Sequence, residues 1–317
     1  MNTLEQLKKL TDKFAANFHY YKNSKLSYNE HSCRIEYIDP LLQILGWDVQ
    51  NTKGLQPQYR EVIAENYSTR TDRPDYSLTL RGVTKLFIEV KKPSVDIIVM
   101  PESALQARKY GWNANHKIVV LTNFEYLVIY DSTVVPKETD GSYVALYRKY
   151  HYTDYCDNFD EISQLISRNS VFSGSFDSDF ILEGVRESAH KQKVDSHFLQ
   201  EINRWRVALS NELYSKNKRY QSLDVLNDVV QDFINRIVFL RICEDKNLPI
   251  YHKLQETIID PKHLHSRLAE VLRAADMRYN SGLFAGDSII FDISSGAVSD
   301  MIIGLNYSKS PYSFNII

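Results

Sequence analysis

The chain has 317 residues, of which 43% are hydrophobic, so it can bury a core in one large or two ordinary domains. Its formal net charge of -2 argues against a global basic field, and any contact with nucleic acid must rely on local positive charge. No apolar run approaches the roughly 20 residues that cross a bilayer, and no signal peptide or cysteine framework is visible, so we expect a cytoplasmic protein without membrane contact.

Two helices are predicted at the start of the chain. Leucine and phenylalanine recur at intervals of three and four over residues 4–22, which is the spacing of a packing helix. A second helix should begin after Ser27 or Asn29, either of which can cap it, and end at Gly46. Glu30 lies in its first turn, where a carboxylate is most often only a favourable charge against the helix dipole.

The most informative stretch is a predicted hairpin of two strands with a turn at Gly82. Asp75 stands near the start of the first strand, and Glu89 and Lys91 stand at the end of the second. Because strand side chains alternate faces, Glu89 and Lys91 point the same way while Val90 turns to the other side. Two carboxylates gathered at one sheet edge are costly unless a divalent metal neutralises them, so this edge predicts a metal site.

Further strands and one helix are predicted around the hairpin. They are strands over residues 59–67, 117–122, 126–131 and 144–150, and a helix over 101–112. This helix presents Gln106 and Tyr110 on one face, four residues apart. The first 150 residues therefore predict an α/β fold in which helices flank a mixed sheet.

The order of these features resembles the PD-(D/E)XK nuclease superfamily. The core of the resemblance is Pro74 and Asp75 followed by the Glu89, Val90, Lys91 triplet, a motif that is short by itself. The flanking features look like the opening of restriction endonuclease domains: Glu30, Arg34, the run 38–49, Gln106 and Tyr110 at QxxxY spacing, and residues 121–125. Together they cover residues 28–131 and imply a restriction-endonuclease-like fold.

The resemblance implies a Mg²⁺ site built from Glu30, Asp75, Glu89 and the carbonyl of Val90. These are hard oxygen ligands, which suit Mg²⁺ better than zinc. Glu36 competes with Glu30 for the helix position, although it lies six residues on and projects from another side of the helix. Judged without the family, the acids and Lys91 are also compatible with a solvated ion-pair group on a sheet edge.

The same resemblance gives roles to three further side chains. Lys91 would position the attacking water or stabilise developing charge on the phosphate. Gln106 and Tyr110 would orient catalytic groups or the substrate phosphate, but ordinary surface or core positions account for both equally well. The implied activity is Mg²⁺-dependent hydrolysis of phosphodiester bonds in DNA.

The character of the chain changes near residue 157. Long helices are predicted over 194–214 and 223–243 from their apolar spacing. Residues 235–248 and 279–284 resemble the helical connector that follows the nuclease in type IIG restriction-modification enzymes, although a generic helical bundle explains them as well. The predicted organisation is a nuclease domain at 1–156, a linker region at 157–190 that contains a short helix at 159–166, and an all-α connector domain at 191–317.

Double-stranded DNA is the substrate that the resemblance implies, and two copies would pair during cleavage. Basic residues near the hairpin would contact phosphates without reading sequence: Arg70, Arg73, Arg81, Lys85, Lys91 and Lys92. A solvated surface is an equally good account of any one of them.

In type IIG enzymes an adenine methyltransferase follows the connector. We find no glycine-rich cofactor loop, so the chain is expected to be the front portion of a longer enzyme, and S-adenosylmethionine would be a cofactor only of the downstream domain. Two alternatives stay open. One is a DNA-binding or assembly fragment that does not cleave, and the other is the nuclease end of a type I restriction motor subunit.

Overall fold

The computed structural model describes residues 2–23, 28–64, 73–173, 194–216, 218–246, 248, 253–279, 282–284, 289–305 and 310–314. The chain divides into two compact units, residues 1–191 and 192–317. Among the helices in these ranges, none combines the length and apolar character that crossing a bilayer requires.

The first unit is built on a six-stranded sheet. Its strands are β1 Val62–Ala64, β2 Tyr76–Leu80, β3 Val83–Val90, β4 Ile118–Thr122, β5 Tyr126–Asp131 and β6 Leu146–His151. The described helices of this unit are α1 Thr3–Ala16, α2 Phe18–Lys22, α3 Glu30–Cys33, α4 Asp39–Ile44, α5 Pro101–Asn113, α6 Phe159–Ile166 and α7 Arg168–Ser173.

The strands lie in the sheet in sequence order. Neighbouring strands are antiparallel except for β3 and β4, which are parallel. Because parallel strands need a crossover connection, α5 lies between them in the chain. All five residues of β4 are buried, as the continuous apolar run predicts, and β6 forms an edge as expected. The predicted α/β fold with a mixed sheet and flanking helices is confirmed.

Aromatic side chains join the N-terminal helices to the sheet. Phe14 of α1 lies 5.1 Å from the ring of Tyr37 and 4.9 Å from that of Phe124, measured between ring centres. All three rings are buried in the main core of the unit. The predicted packing face of residues 4–22 is confirmed for its central part, although Leu4 is exposed and the helix divides into α1 and α2 at position 17.

The helix that carries Glu30 contains a π-helical turn. The Asn29 side chain caps it by accepting a hydrogen bond from the Ser32 N–H at 2.8 Å; Ser27, the other predicted cap, lies outside the described residues. Between α3 and α4 a π turn spans 34–38, and the N–H at position 39 donates to the carbonyl five residues back. Pro40 has no N–H for a regular helical bond, which favours the wider turn. Gly46, with φ at 89°, follows the helix end as predicted.

The first unit extends past residue 156, the predicted end of the nuclease domain. Helices α6 and α7 fall in the predicted linker, yet they bury Ile162, Leu165, Ile166 and Val171 in the same core as the sheet. The Trp47 indole N–H also donates to the Ile166 carbonyl at 2.9 Å. These helices pack on the core because each has an apolar face that is more stable when it is removed from water. The rest of the predicted linker, from residue 174, lies outside the described residues.

The described residues of the second unit form helices joined by turns, and none of them lies in a strand. Its helices are α8 Val194–Lys216, α9 Leu223–Asp245, α10 Lys253–Thr257, α11 Leu264–Tyr279 and α12 Ser295–Leu305. Both long predicted helices are confirmed, and α9 buries Val230, Phe233 and Ile237 along one stripe. The predicted all-α domain is therefore confirmed, while residues 280 and 281 of the segment 279–284 lie outside the described ranges.

Candidate active site

The predicted acids adjoin at one end of the β2–β3 hairpin. In the antiparallel register Tyr76 faces Ile88, so the next positions along the strands are Asp75 and Glu89. The Asp75 Oδ2 atom accepts a hydrogen bond from the Val90 N–H at 2.7 Å. An acid from one strand is thereby fixed beside the last residues of the next strand.

Lys91 lies between Glu89 and helix α5. Its Nζ is 2.5 Å from the Glu89 Oε1 and donates to the Gln106 Oε1 at 3.0 Å. The Gln106 Nε2 in turn donates to the Tyr110 hydroxyl at 3.1 Å. The four side chains form one contact series from the sheet edge to the helix, and the four-residue spacing on α5 brings the last two together.

Glu89 carries an unusual carboxyl group. Burial raises its pKa to about 8, the nearby Asp75 carboxylate adds to this effect, and the Lys91 ammonium partly offsets it. Its Oε2 atom is buried and has no hydrogen-bond partner among the described residues. An unsatisfied buried carboxylate oxygen is costly, and a bound cation would relieve that cost.

Lys91 stays protonated in this setting. Burial acts to lower its pKa, but the carboxylates of Glu89, Glu30 and Asp75 together raise it. The ammonium is therefore a fixed positive charge next to a carboxyl group that can take up or release a proton near neutral pH. Such a pair can hold an anionic ligand once the carboxyl engages another partner.

Glu30 contributes negative charge to the same region. Its carboxylate is one of the groups that raise the pKa of Glu89 and of Lys91. The competing acid Glu36 instead lies 3.6 Å from the Lys13 Nζ on α1. Glu36 therefore faces α1, whereas Glu30 lies on the side of the helix that faces the hairpin.

The oxygen atoms at this edge suit a divalent ion that keeps several bound waters better than an ion held entirely by protein ligands. Within the described residues, no three His, Cys, Asp or Glu side chains are grouped closely enough to share a metal. Mg²⁺ typically binds one or two carboxylates and keeps several waters, so Asp75 together with Glu89, whose Oε2 is unsatisfied, fits that ion. Zinc, which prefers nitrogen and sulfur ligands in a closed tetrahedron, fits poorly.

Arg34 is a site residue whose chemical role is not evident from the sequence. Its Nη1 lies 3.2 Å from the Asp75 Oδ1, and its Nη2 donates to the Asp75 carbonyl oxygen at 3.2 Å. The guanidinium carbon also lies 4.5 Å from the centre of the Tyr76 ring. The spacing Glu30 to Arg34 places both residues on one helix face, but it does not signal the contact with Asp75, which lies 41 positions away.

The basic residues of the hairpin do not form one cluster. Arg81 lies at the turn, and its guanidinium carbon is 5.7 Å from the ring centre of Phe172 on α7. A strand rises about 3.3 Å per residue, so the six steps from Asp75 to Arg81 cover roughly 20 Å. Arg81 therefore lies on the hairpin, as predicted, but at the end far from the acids. Arg70 lies outside the described residues.

A cleft adjoins the acids on the side of the capped helix. Its volume is about 650 Å³, and it runs beside β1, β2 and the turn after α4. Glu30, Arg34 and Tyr76 are among the residues that line it. The cleft gives a ligand access to the helix face that carries Glu30.

Comparisons with known proteins agree with the sequence resemblance. Residues 27–138 match the family described as the N terminus of the type I restriction enzyme R protein. The whole chain is 40% identical to the type II restriction enzyme and methyltransferase RM.Eco57I of Escherichia coli and spans 32% of that protein's length. The solved type IIG restriction endonuclease BpuSI aligns over 89% of this chain and 30% of its own, with 15% identity and a TM-score of 0.27. The region of the family match contains every site residue described above.

Proposed function

We propose that this chain, whose residues 27–138 match the family described as the type I restriction enzyme R protein N terminus, is the nuclease module of a restriction-modification enzyme. It would hydrolyse phosphodiester bonds of double-stranded DNA with Mg²⁺ and would act in the cytoplasm, where that substrate lies. The observation that carries the proposal is the contact series from Asp75 and Val90 through Glu89 and Lys91 to Gln106.

Asp75, Glu89 and the carbonyl of Val90 would hold the ion directly, and Glu30, which is not grouped with both acids closely enough to share a metal, would complete the set through a bound water. When bound, Mg²⁺ supplies a more acidic water and stabilises negative charge on the phosphate. The chain contributes the arrangement of the ligands, because Asp75 is fixed to the β3 backbone and Glu89 stands on the strand itself. The unsatisfied Oε2 of Glu89 supports this assignment.

Lys91 would act on the phosphate. Its ammonium is bonded to Glu89 and Gln106 in the absence of substrate. If the Glu89 carboxylate turns to an ion, the ammonium becomes available to hold a phosphate oxygen or the attacking water. Gln106 would keep Lys91 in place through its amide oxygen, and Tyr110 would fix the Gln106 amide.

The DNA backbone would reach the acids along the cleft that Glu30 and Tyr76 line. Arg73 is exposed two residues before Asp75, and Lys92 is partly exposed directly after Lys91. Both can contact phosphates without reading sequence. One site cuts one strand, so cleavage of both strands would require two copies to pair. S-adenosylmethionine would serve only a downstream methyltransferase.

Two alternatives have an observation in their favour. A DNA-binding or assembly module that does not cleave is favoured by Arg34, which already engages the Asp75 carboxylate. The nuclease end of a type I motor subunit is favoured by the family description. Against the second stands the type II relative, since the similarity to it includes the helical unit.

Plasmid cleavage by the purified chain tests the proposal. With Mg²⁺ the wild type should nick or linearise supercoiled DNA, while Asp75→Asn and Lys91→Ala should lose cleavage by about 100-fold or more. Asp12→Asn and Lys8→Ala are matched controls, because this exposed pair on α1 is 3.1 Å apart and away from the hairpin. Equal cleavage by all five proteins would reject the site. Salt-dependent DNA binding without cleavage in Mg²⁺ or Mn²⁺ would favour the non-cleaving alternative.

A further inference from the structure

Arg34 and a bound divalent ion would each place positive charge next to the Asp75 carboxylate. We infer that Arg34 is a positioning residue that supplies the counter-charge of the Asp75 carboxylate until a divalent ion binds, and that it weakens the binding of that ion. The inference rests on the proposed function, because it takes Asp75 as an ion ligand.

Both carboxylate oxygen atoms of Asp75 have partners within the protein. Oδ1 lies 3.2 Å from the Arg34 Nη1, and Oδ2 accepts from the Val90 N–H at 2.7 Å. The Asp75 residue is 9% exposed and Arg34 is 5% exposed, so water provides little screening. A buried carboxylate requires positive charge nearby, and the Arg34 guanidinium supplies such a charge in direct contact with it.

Arg34 has anchors that do not depend on the Asp75 carboxylate. Its Nη2 donates to the Asp75 carbonyl oxygen at 3.2 Å, and its guanidinium carbon is 4.5 Å from the Tyr76 ring centre. Tyr76 is itself held, because its hydroxyl donates to the Asp39 Oδ1 at 2.6 Å. If Oδ1 turns towards an ion, the guanidinium stays beside the carboxylate and its charge repels that ion.

Two effects of removing this charge act in the same direction. Without the guanidinium, the buried Asp75 carboxylate loses the positive charge that lies 3.2 Å from its Oδ1, which destabilises the ion-free protein. The repulsion between Arg34 and the bound ion is removed as well. A variant that lacks the charge should therefore be less stable without ions, bind them more tightly, and recover part of its stability when they are added.

Thermal unfolding and calorimetric titration of the whole chain test this inference. Wild type, Arg34→Gln and Arg34→Lys are compared at pH 8.5 in EDTA and in increasing MgCl2. For Arg34→Gln we expect a lower Tm in EDTA, a gap to wild type that narrows as Mg²⁺ rises, and a Kd for Mg²⁺ about tenfold lower. Arg34→Lys keeps the charge and should retain the wild-type response to Mg²⁺.

Arg108→Gln is the matched control in the same unit. Arg108 is also buried and pairs with a carboxylate, the Asp140 Oδ2 at 2.7 Å, but on the loop that follows β5. Its loss should lower the Tm by an amount that Mg²⁺ does not change. If Arg34→Gln shows the same Mg²⁺-independent loss and an unchanged Kd, Arg34 is only structural, and the inference is overturned while the cleavage assay of the wild type still decides the proposed function.

A double variant keeps the test decisive if Arg34→Gln does not fold. Arg34→Gln with Asp75→Asn removes both charges, so it should be more stable in EDTA than Arg34→Gln alone and should lack the Mg²⁺-dependent recovery. A double variant no more stable than the single one would overturn the inference. Failure of the wild type itself to bind any divalent ion would overturn both the inference and the proposed Mg²⁺ chemistry.

Discussion

The backbone N–H of Val90 donates to the Asp75 Oδ2 at 2.7 Å, so the acid that precedes one strand is held against the last residue of the next. The two residues are 15 positions apart, and the hairpin between them sets their register. An ion held by Asp75 would therefore lie at the end of β3. Lys91 and Gln106 contact each other at this same end.

Gln106 should affect the rate of cleavage more than the binding of DNA. Its Oε1 accepts from the Lys91 Nζ at 3.0 Å, and loss of this contact would leave the ammonium less well oriented. For Gln106→Ala we expect kcat to fall about tenfold or more with little change in KM. Steady-state cleavage kinetics measure both quantities, and Glu102→Gln on the exposed first turn of α5 is the control. A change in KM alone would contradict the positioning role.

The stability of the ion-free protein should fall as the pH rises from about 4.5 to about 8. Burial raises the pKa of Glu89 to about 8, so over this range the folded protein keeps a proton that the unfolded chain has released. Because the folded state binds more protons, raising the pH favours unfolding. Thermal unfolding in EDTA should show this slope in the wild type and a flatter one in Glu89→Gln. Identical slopes in the two proteins would contradict it.

Binding of Mg²⁺ should release about one proton near pH 7. At that pH the Glu89 carboxyl is largely protonated, since burial raises its pKa, and an ion must displace the proton to bind Oε2. The apparent affinity should increase with pH and level off above about 8. Titration calorimetry in two buffers of different ionisation enthalpy gives the proton count. A count near zero would mean that Glu89 is not a ligand.

The sequence predicted the local parts of this architecture well. Asp75, Glu89 and Lys91 lie within one hairpin, so the alternation of strand side chains is enough to bring them together. The Arg34 contact with Asp75 joins positions 41 apart and depends on how the capped helix packs on the sheet, which no local spacing encodes. Pro40 is a visible signal for the π turn only once the helix around it is known.

The position of Arg81 and the packing of α6 depend on distances in the folded chain, which residue types alone do not reveal. Arg81 is near Lys91 in the sequence but lies at the opposite end of β3. An extended strand rises about 3.3 Å per residue, so the eight residues of β3 hold the two charges far apart. The linker prediction at 157–190 relied on serine and glycine after residue 170. It could not show that the apolar stripe of α6 finds a partner surface in the first core.

The segment 235–248 of the connector should be important for stability rather than for catalysis. Arg241 is 3% exposed, its Nη1 lies 2.5 Å from the Asp245 Oδ1, and its Nε donates to the Leu305 carbonyl at 2.6 Å. The Asp245 Oδ2 accepts from the Phe314 N–H at 2.7 Å, so this buried pair joins α9, α12 and residues 310–314.

Replacing Arg241 with Met should lower the free energy of unfolding of the helical unit by about 3 kcal/mol or more, because Asp245 would keep a buried charge without its partner. Arg204→Met is the matched control. Arg204 forms an ion pair of 2.7 Å with Glu201 on the exposed face of α8, and loss of such a pair should cost less than about 1 kcal/mol. Urea unfolding followed by circular dichroism measures both variants. Equal losses of unfolding free energy in the two variants would show that the buried Arg241 pair contributes no more than a surface pair. The contacts of Arg241 would then not be what stabilises the packing of α9 on α12.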